Sequence, residues 1–321
     1  MSVHTFLDPQ FLAAARLAAE MQLLAGPPAS TISGVRDQSE QIRQWWNTGR
    51  PQMAQEMEVK IPVGRRQLDA VVYVPRELKQ RAPAYLYLHG GGFRVGNPRT
   101  NDRMLRELAA DWGGIVVSLG YALAPEHVFP EAVEDTAEAY AWIAQNGAAW
   151  GILGNQLAFG GSSAGANIAL GAAIHLGPTL ASFMRAGALM VGTYGDDLET
   201  ESARLYGGPE FSPTQKAAAA ALEQYVPDPA QRNDPRVNCA RADLADMPPM
   251  FLAGAELDVF RDSSRQLAQA LKDKGRRCEL VEYKGMGHLF GGYTRLVDMA
   301  RRSIKDIAAF LRRELPAEKE K

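Results

Sequence analysis

Apolar residues gather along this chain in short runs, and between the runs lie longer stretches where they recur every three or four positions. The runs predict strands over residues 68–74, 84–88, 114–119, 156–159, 186–191, 250–254 and 278–283. The periodic stretches predict helices over 102–111, 131–145, 166–176, 263–274 and 294–311. Strands alternating with helices make a mostly parallel sheet covered on both faces, so the expected fold class is α/β. The last strand mixes apolar and acidic residues on each face, with Cys278, Leu280 and Glu282 on one side and Glu279, Val281 and Tyr283 on the other, which suits a sheet edge. Two stretches break the alternation. Residues 1–50 hold a helical run over 9–24 and the pair Trp45-Trp46; residues 192–248 hold Tyr194-Gly195-Asp196-Asp197, Tyr206 and a helix over 213–225 that includes the alanine run 217–221.

Chemistry enters at the turns after the strands. Gly161-Ser162-Ser163-Ala164-Gly165 stands between a buried strand and a helix, and only Ser163 has glycine both two positions before and two after. A serine on such a turn is held in a strained backbone conformation with its hydroxyl above the sheet, which is a nucleophile's placement. The strand over 84–88 ends in His89-Gly90-Gly91-Gly92-Phe93, a loop whose backbone N–H groups no side chain obstructs. Such donors stabilise the oxyanion that forms when a carbonyl is attacked, together with the N–H of the residue after the nucleophile, here Ala164.

A serine nucleophile needs a base, and the chain has five histidines. His4 is in the terminus, His89 in the glycine loop and His175 inside the helix after the serine, while His127 sits in the proline-marked loop Ala124-Pro125-Glu126-His127 and is expected to organise hydrogen bonds. His288 remains, in the loop after the last strand. The orienting acid should lie between the serine and the histidine, where Glu256, Asp258 and Asp262 follow the strand over 250–254. Asp258 ranks first because it stands just past the strand, and Glu256 second. Asp262 reads as part of the next helix's first turn, where a carboxylate complements the dipole.

Taken together, His89-Gly90-Gly91-Gly92-Phe93, Tyr121-Ala122-Leu123-Ala124-Pro125-Glu126-His127, Gly161-Ser162-Ser163-Ala164-Gly165, Asp258-Val259-Phe260-Arg261-Asp262 and Gly287-His288 resemble the bacterial hormone-sensitive-lipase-like esterase family. The resemblance spans roughly residues 60–315. It implies an α/β-hydrolase fold, a Ser163, Asp258 and His288 triad, and Gly91, Gly92 and Ala164 as oxyanion donors. It also implies a cap built from an N-terminal segment, residues 1–50, and from an insertion at about 192–248 in a catalytic domain of residues 51–321. Phe93, Trp45, Trp46 and Tyr194 are the bulky residues expected at the substrate pocket. Two positions depart from the family pattern: Ser162 stands where an acidic residue is usual, and Ala122 where arginine is frequent.

The expected activity is that of a serine carboxylesterase on short to medium acyl esters, passing through an acyl-enzyme and needing no metal or organic cofactor. An amidase or lactonase on the same scaffold is the alternative, and a non-catalytic small-molecule receptor a more distant one. Composition narrows the partners. With 35 basic against 37 acidic residues, a net charge of −2 gives no reason to expect nucleic acid or an anionic membrane as partner. The expected partner is a small-molecule ester, and the sequence also allows a homodimer. Only Cys239 and Cys278 are present, too few for a disulfide framework, and no secretory leader is expected from the residues at the start. No apolar run approaches the roughly 20 residues of a membrane helix. A cytoplasmic location is therefore expected.

Overall fold

The computed structural model describes residues 6–78, 81–195 and 198–316; His4, Asp196, Asp197 and the charged tail at 318–321 lie outside the described residues. Among the described residues eight strands form one sheet: β1 (Gln55–Val63), β2 (Arg66–Val74), β3 (Ala82–Leu88), β4 (Ile115–Leu119), β5 (Ile152–Ser162), β6 (Met184–Met190), β7 (Met250–Ala255) and β8 (Cys278–Tyr283). Their order across the sheet is β1-β2-β4-β3-β5-β6-β7-β8. β2 is antiparallel to both neighbours, and every pairing from β4 to β8 is parallel. The helices are α1 (Pro9–Leu24), α2 (Ile32–Trp46), α3 (Asp102–Trp112), α4 (Glu131–Asn146), α5 (Ala164–Leu176), α6 (Glu201–Tyr206), α7 (Gln215–Tyr225), α8 (Arg261–Asp273) and α9 (Asp298–Glu314).

Successive strand residues point to opposite faces, and the core divides accordingly. Leu86, Leu88, Val117, Phe159 and Leu252 pack against Tyr140 of α4, Ile168 and Leu170 of α5 and Leu267 and Leu271 of α8. Tyr85, Tyr87, Val116, Ala158 and Phe251 pack on the other side against Leu105 and Leu108 of α3 and Ile304 and Phe310 of α9. β3 lies between two parallel neighbours with all seven residues buried, which is why it reads as an unbroken apolar run. Tyrosines buried in the sheet bond their hydroxyls: Tyr85 of β3 donates to the Ala188 carbonyl at 2.7 Å and Tyr73 of β2 to Asp102 at 2.7 Å.

Every strand expected from the sequence is present, with β5 extending well beyond 156–159 in both directions. β8 lies at the sheet edge, as its mixed faces imply. The hairpin strand β1 has no counterpart in the sequence reading. It carries Glu56, Glu58 and Lys60 on the outer edge and fully buries only Ile61 and Val63, so its hydrophobic signal is weak. Its charges are matched across the surface, with Arg99 pairing Glu56 at 2.6 Å and Glu58 at 2.7 Å. α2 also escapes prediction, because Trp46 is its one fully buried residue. α9 begins at Asp298 rather than near 294, after the short turn Phe290–Tyr293.

The stretches outside the alternation meet the sheet at one end. α1 is started by Asp8, whose carboxylate accepts from the N–H groups of Gln10 and Phe11 at 2.9 and 3.0 Å, and Phe11 enters the core beside Tyr293. α6 and α7 lie between β6 and β7. Asp262 at the start of α8 accepts from Ser202 N–H of α6 at 2.8 Å and tethers that insertion to the sheet domain.

Candidate active site

Parallel strands deliver the loops after β3, β5, β7 and β8 to the same edge of the sheet, where crevices form in such folds. Ser163 follows β5 with φ 53° and ψ −122°, a conformation that costs a non-glycine residue about 1–3 kcal/mol. Its N–H donates to the Met190 carbonyl of β6 at 2.9 Å, and its carbonyl accepts from Ala166 N–H at 3.0 Å, so the turn is pinned from both sides. Gly165 is required by contact. A Cβ there would come within 2.3 Å of the Leu88 and His89 carbonyl oxygens, so any side chain would push the serine turn away from the end of β3.

The histidine and acid loops are stitched together before they reach the serine. Leu257 N–H donates to the Met286 carbonyl at 2.9 Å, and Gly285 N–H donates to Glu256 Oε2 at 2.9 Å. Asp258, 2% exposed, accepts Phe260 N–H on Oδ1 at 3.0 Å and His288 Nδ1 on Oδ2 at 2.9 Å. His288 Nε2 stands 2.8 Å from Ser163 Oγ. An ionised carboxylate only accepts, so Nδ1 carries the proton and Nε2 keeps the lone pair that faces the serine hydroxyl. The edge of Phe260 packs on the imidazole at 5.2 Å. A base oriented by a buried acid and bonded to a hydroxyl on a strained turn is an arrangement for nucleophilic attack.

The other carboxylates and histidines have different occupations. Glu256 pairs with Lys284 at 2.7 Å; burial works to raise its pKa, but Lys284 and the Gly285 N–H outweigh that and hold it below the usual carboxylate value. Asp262 binds Arg261 at 3.0 Å. Burial pushes His89 down to about 4, so it is neutral, donating from Nδ1 to the Gly90 carbonyl at 3.0 Å with its ring stacked on Tyr121 at 4.4 Å. His127 bonds Glu131 at 2.9 Å, and His175 lies exposed near Arg236. Cys239 is buried and Cys278 partly so; both are free thiols whose pKa burial raises.

The glycine loop turns back on itself, with the N–H groups of Arg94 and Val95 both donating to the Gly91 carbonyl at 3.1 Å. Gly91 has φ 142°, and a Cβ on it would meet the Val95 carbonyl oxygen at 2.0 Å. Phe93 stacks flat on Tyr225 of α7 at 4.1 Å, which fastens the loop to the insertion. Arg36 of α2 clamps it from the other side by donating to the Arg94 carbonyl at 2.8 Å while pairing with Glu126.

Ser163 and His288 open on a cavity of about 290 Å³, also lined by Gly90, Gly91, Gly92 and Ala164. The size suits a small ligand. Of the four bulky residues expected at the pocket, Phe93 lines it; Trp45, Trp46 and Tyr194 do not. Trp46 is 2% exposed against Tyr293 at 4.4 Å, and Trp45 lies edge-on to Trp46 beneath the Arg295 guanidinium at 3.8 Å. Tyr194 is fully buried in the core. These three large rings anchor α2 and the insertion to the sheet domain, and smaller neighbours form the wall. On one side stand Ala217, Ala218, Ala221 and Leu222 of α7; on the other Arg43 of α2 and Asn101 and Met104 at the start of α3. The alanine run was visible as helix, but nothing in the sequence says which helix face meets the serine.

A family profile described as alpha/beta hydrolase fold matches residues 85–291. Among solved structures, a hyperthermophilic esterase from the archaeon Pyrobaculum calidifontis is 32% identical with a TM-score of 0.86, over 96% of this chain and 98% of that one. EstE1, a thermophilic and thermostable carboxylesterase cloned from a metagenomic library, is 30% identical with a TM-score of 0.85, over 89% of this chain and 98% of that one. A fungal esterase from Rhizomucor miehei is 26% identical with a TM-score of 0.86, over 96% of this chain and 97% of that one.

Proposed function

The chain belongs to the hormone-sensitive-lipase-like esterase family of α/β hydrolases, and on that footing we propose that it is a serine carboxylesterase for short to medium acyl esters. The observation that carries the reading is the unbroken line from Ser163 Oγ through His288 to Asp258, opening on the cavity beside the glycine loop. In this reading His288 Nε2 takes the Ser163 proton as Oγ attacks the ester carbonyl, and Asp258 stabilises the imidazolium that results. The carbonyl oxygen becomes an oxyanion facing the N–H groups of Gly91, Gly92 and Ala164. Collapse expels the alcohol, which takes the proton from His288 and leaves an acyl group on Ser163. Water, deprotonated by His288, then releases the acid and restores the serine.

A 4-nitrophenyl ester series of increasing acyl length tests the assignment. Serine-dependent turnover falling off at long chains supports it; turnover of matched amides but not esters would move the activity to amide bonds.

Two variants probe the walls. Gly91→Ala should lower kcat about 100- to 1000-fold on every ester, the usual cost of a lost oxyanion donor, because its Cβ displaces the loop from Val95. Ala221→Phe should act selectively. Ala221 lies close to Gly92, where a Cβ on the glycine would be 3.5 Å from the alanine Cβ, so a ring there fills the apolar side. Relative to acetate, kcat/KM for hexanoate should fall about tenfold or more, as steric exclusion from a pocket allows.

A further inference from the structure

Arg43 is a half-buried cation on the wall of the catalytic cavity, and among the described residues its guanidinium makes no hydrogen bond and no ion pair. Its neighbours differ. Arg36 pairs with Glu126, Arg50 and Arg106 with Asp102, Arg99 with Glu56 and Arg103 with Glu107. Glu40, one turn before Arg43 on α2, is engaged by Asn97 at 2.8 Å. Tyr87, His89 and Tyr293 are among the groups that feel the charge of Arg43, and all three are neutral. An arginine drawn partly out of water keeps five N–H donors to satisfy, and its planar fork matches a carboxylate.

A second unpaired donor faces the same spot. Asn101 is 9% exposed and accepts the Tyr87 hydroxyl proton on Oδ1 at 3.0 Å, which turns its Nδ2 the other way. Tyr87 has one proton to give, so the 2.8 Å contact with Ser162 is made by the serine donating to the phenol oxygen. Nδ2 of Asn101 has no acceptor among the described residues, and the residue lines the cavity. Gly292 keeps the space between the donors clear. A Cβ on it would lie 3.0 Å from an Arg43 terminal nitrogen and 3.9 Å from Asn101 Nδ2. Ser162 is a neutral group on this wall, where a carboxylate would have repelled an anion.

Resting on the esterase reading above, we propose that Arg43 and Asn101 form an anion subsite and that the preferred substrates are esters carrying a second, ionised carboxylate, such as half-esters of short dicarboxylic acids. The carboxylate can sit on the acyl or the alcohol portion, and paired substrates separate the two. Monoethyl glutarate against ethyl pentanoate places it on the acyl side; 4-acetoxybutanoate against butyl acetate places it on the alcohol side. The readout, by pH-stat titration, is the charged-to-neutral ratio of kcat/KM within each pair, so the neutral ester corrects for any change in folded fraction or triad. In one pair the ratio should fall roughly 10- to 100-fold in Arg43→Met, the range for losing a charge-assisted hydrogen bond, and be largely kept in Arg43→Lys. Unchanged ratios in both pairs would overturn the subsite and leave the esterase standing. Should the wild type hydrolyse none of the four, the 4-nitrophenyl series decides the esterase reading separately, and the subsite is read by calorimetric titration of glutarate into Ser163→Ala. Loss of binding on adding Arg43→Met then supports the subsite; equal binding, or none in either protein, overturns it.

Discussion

Ser163→Ala should lower kcat for 4-nitrophenyl butanoate by about a millionfold, the loss typical when a triad nucleophile is removed. The protein should stay folded. Alanine at φ 53° bears the same backbone strain as serine, and the N–H bond to the Met190 carbonyl is untouched, so no new instability enters. His288 keeps its bond to Asp258, and its Nε2 faces a cavity that can admit water in place of the hydroxyl. The measurement is kcat beside the thermal unfolding midpoint, which should move by no more than a few degrees. Wild-type turnover in a folded variant would remove Ser163 from the reaction, and would leave Ser162, already committed to Tyr87, as a poor replacement.

That experiment bears on a residue the sequence exposes directly, because a serine two positions from a glycine on each side is a local signature. Most of the sheet is legible for a related reason. The inner stretches of β3 to β7, residues 84–88, 115–119, 157–161, 186–190 and 250–255, are buried on both faces and almost wholly apolar, so the signal survives without knowledge of their neighbours. β1 and α2 are surface elements whose stability comes from partners distant in sequence, such as Arg99 for Glu56 and Tyr293 for Trp46, and no local pattern reports them. The cavity wall suffers the same limitation more severely. Bulk suggested Trp45, Trp46 and Tyr194, but large rings stabilise most where they are fully buried, and a pocket is left where side chains are small. Hence alanines of α7 and glycines at 291 and 292 line the space, and Arg43 reaches it only because α2 packs across this end of the sheet.

The acid was the least determined member of the proposed triad from sequence, since Glu256, Asp258 and Asp262 follow β7 in close succession, and it gives the second large effect. Asp258→Asn should lower kcat about 10⁴-fold with little change in KM. The geometry dictates how. Oδ1 accepts Phe260 N–H, so the substituted amide keeps its oxygen there and turns its NH₂ toward His288. An amide nitrogen can only donate, so His288 Nδ1 must become the acceptor and the ring proton moves to Nε2. A proton then points at Ser163 Oγ where the lone pair should be, and the base is blocked while every contact distance is preserved. Glu256→Gln provides the contrast. Its carboxylate joins Lys284 to the Gly285 N–H and does not touch the imidazole, so kcat should stay within about threefold, the scale of a partly exposed ion pair acting through loop position. If Glu256→Gln proved the more damaging of the two, the acid would have to reach His288 through a rearranged loop, and the 2.9 Å bond to Asp258 would not be the one that operates during turnover.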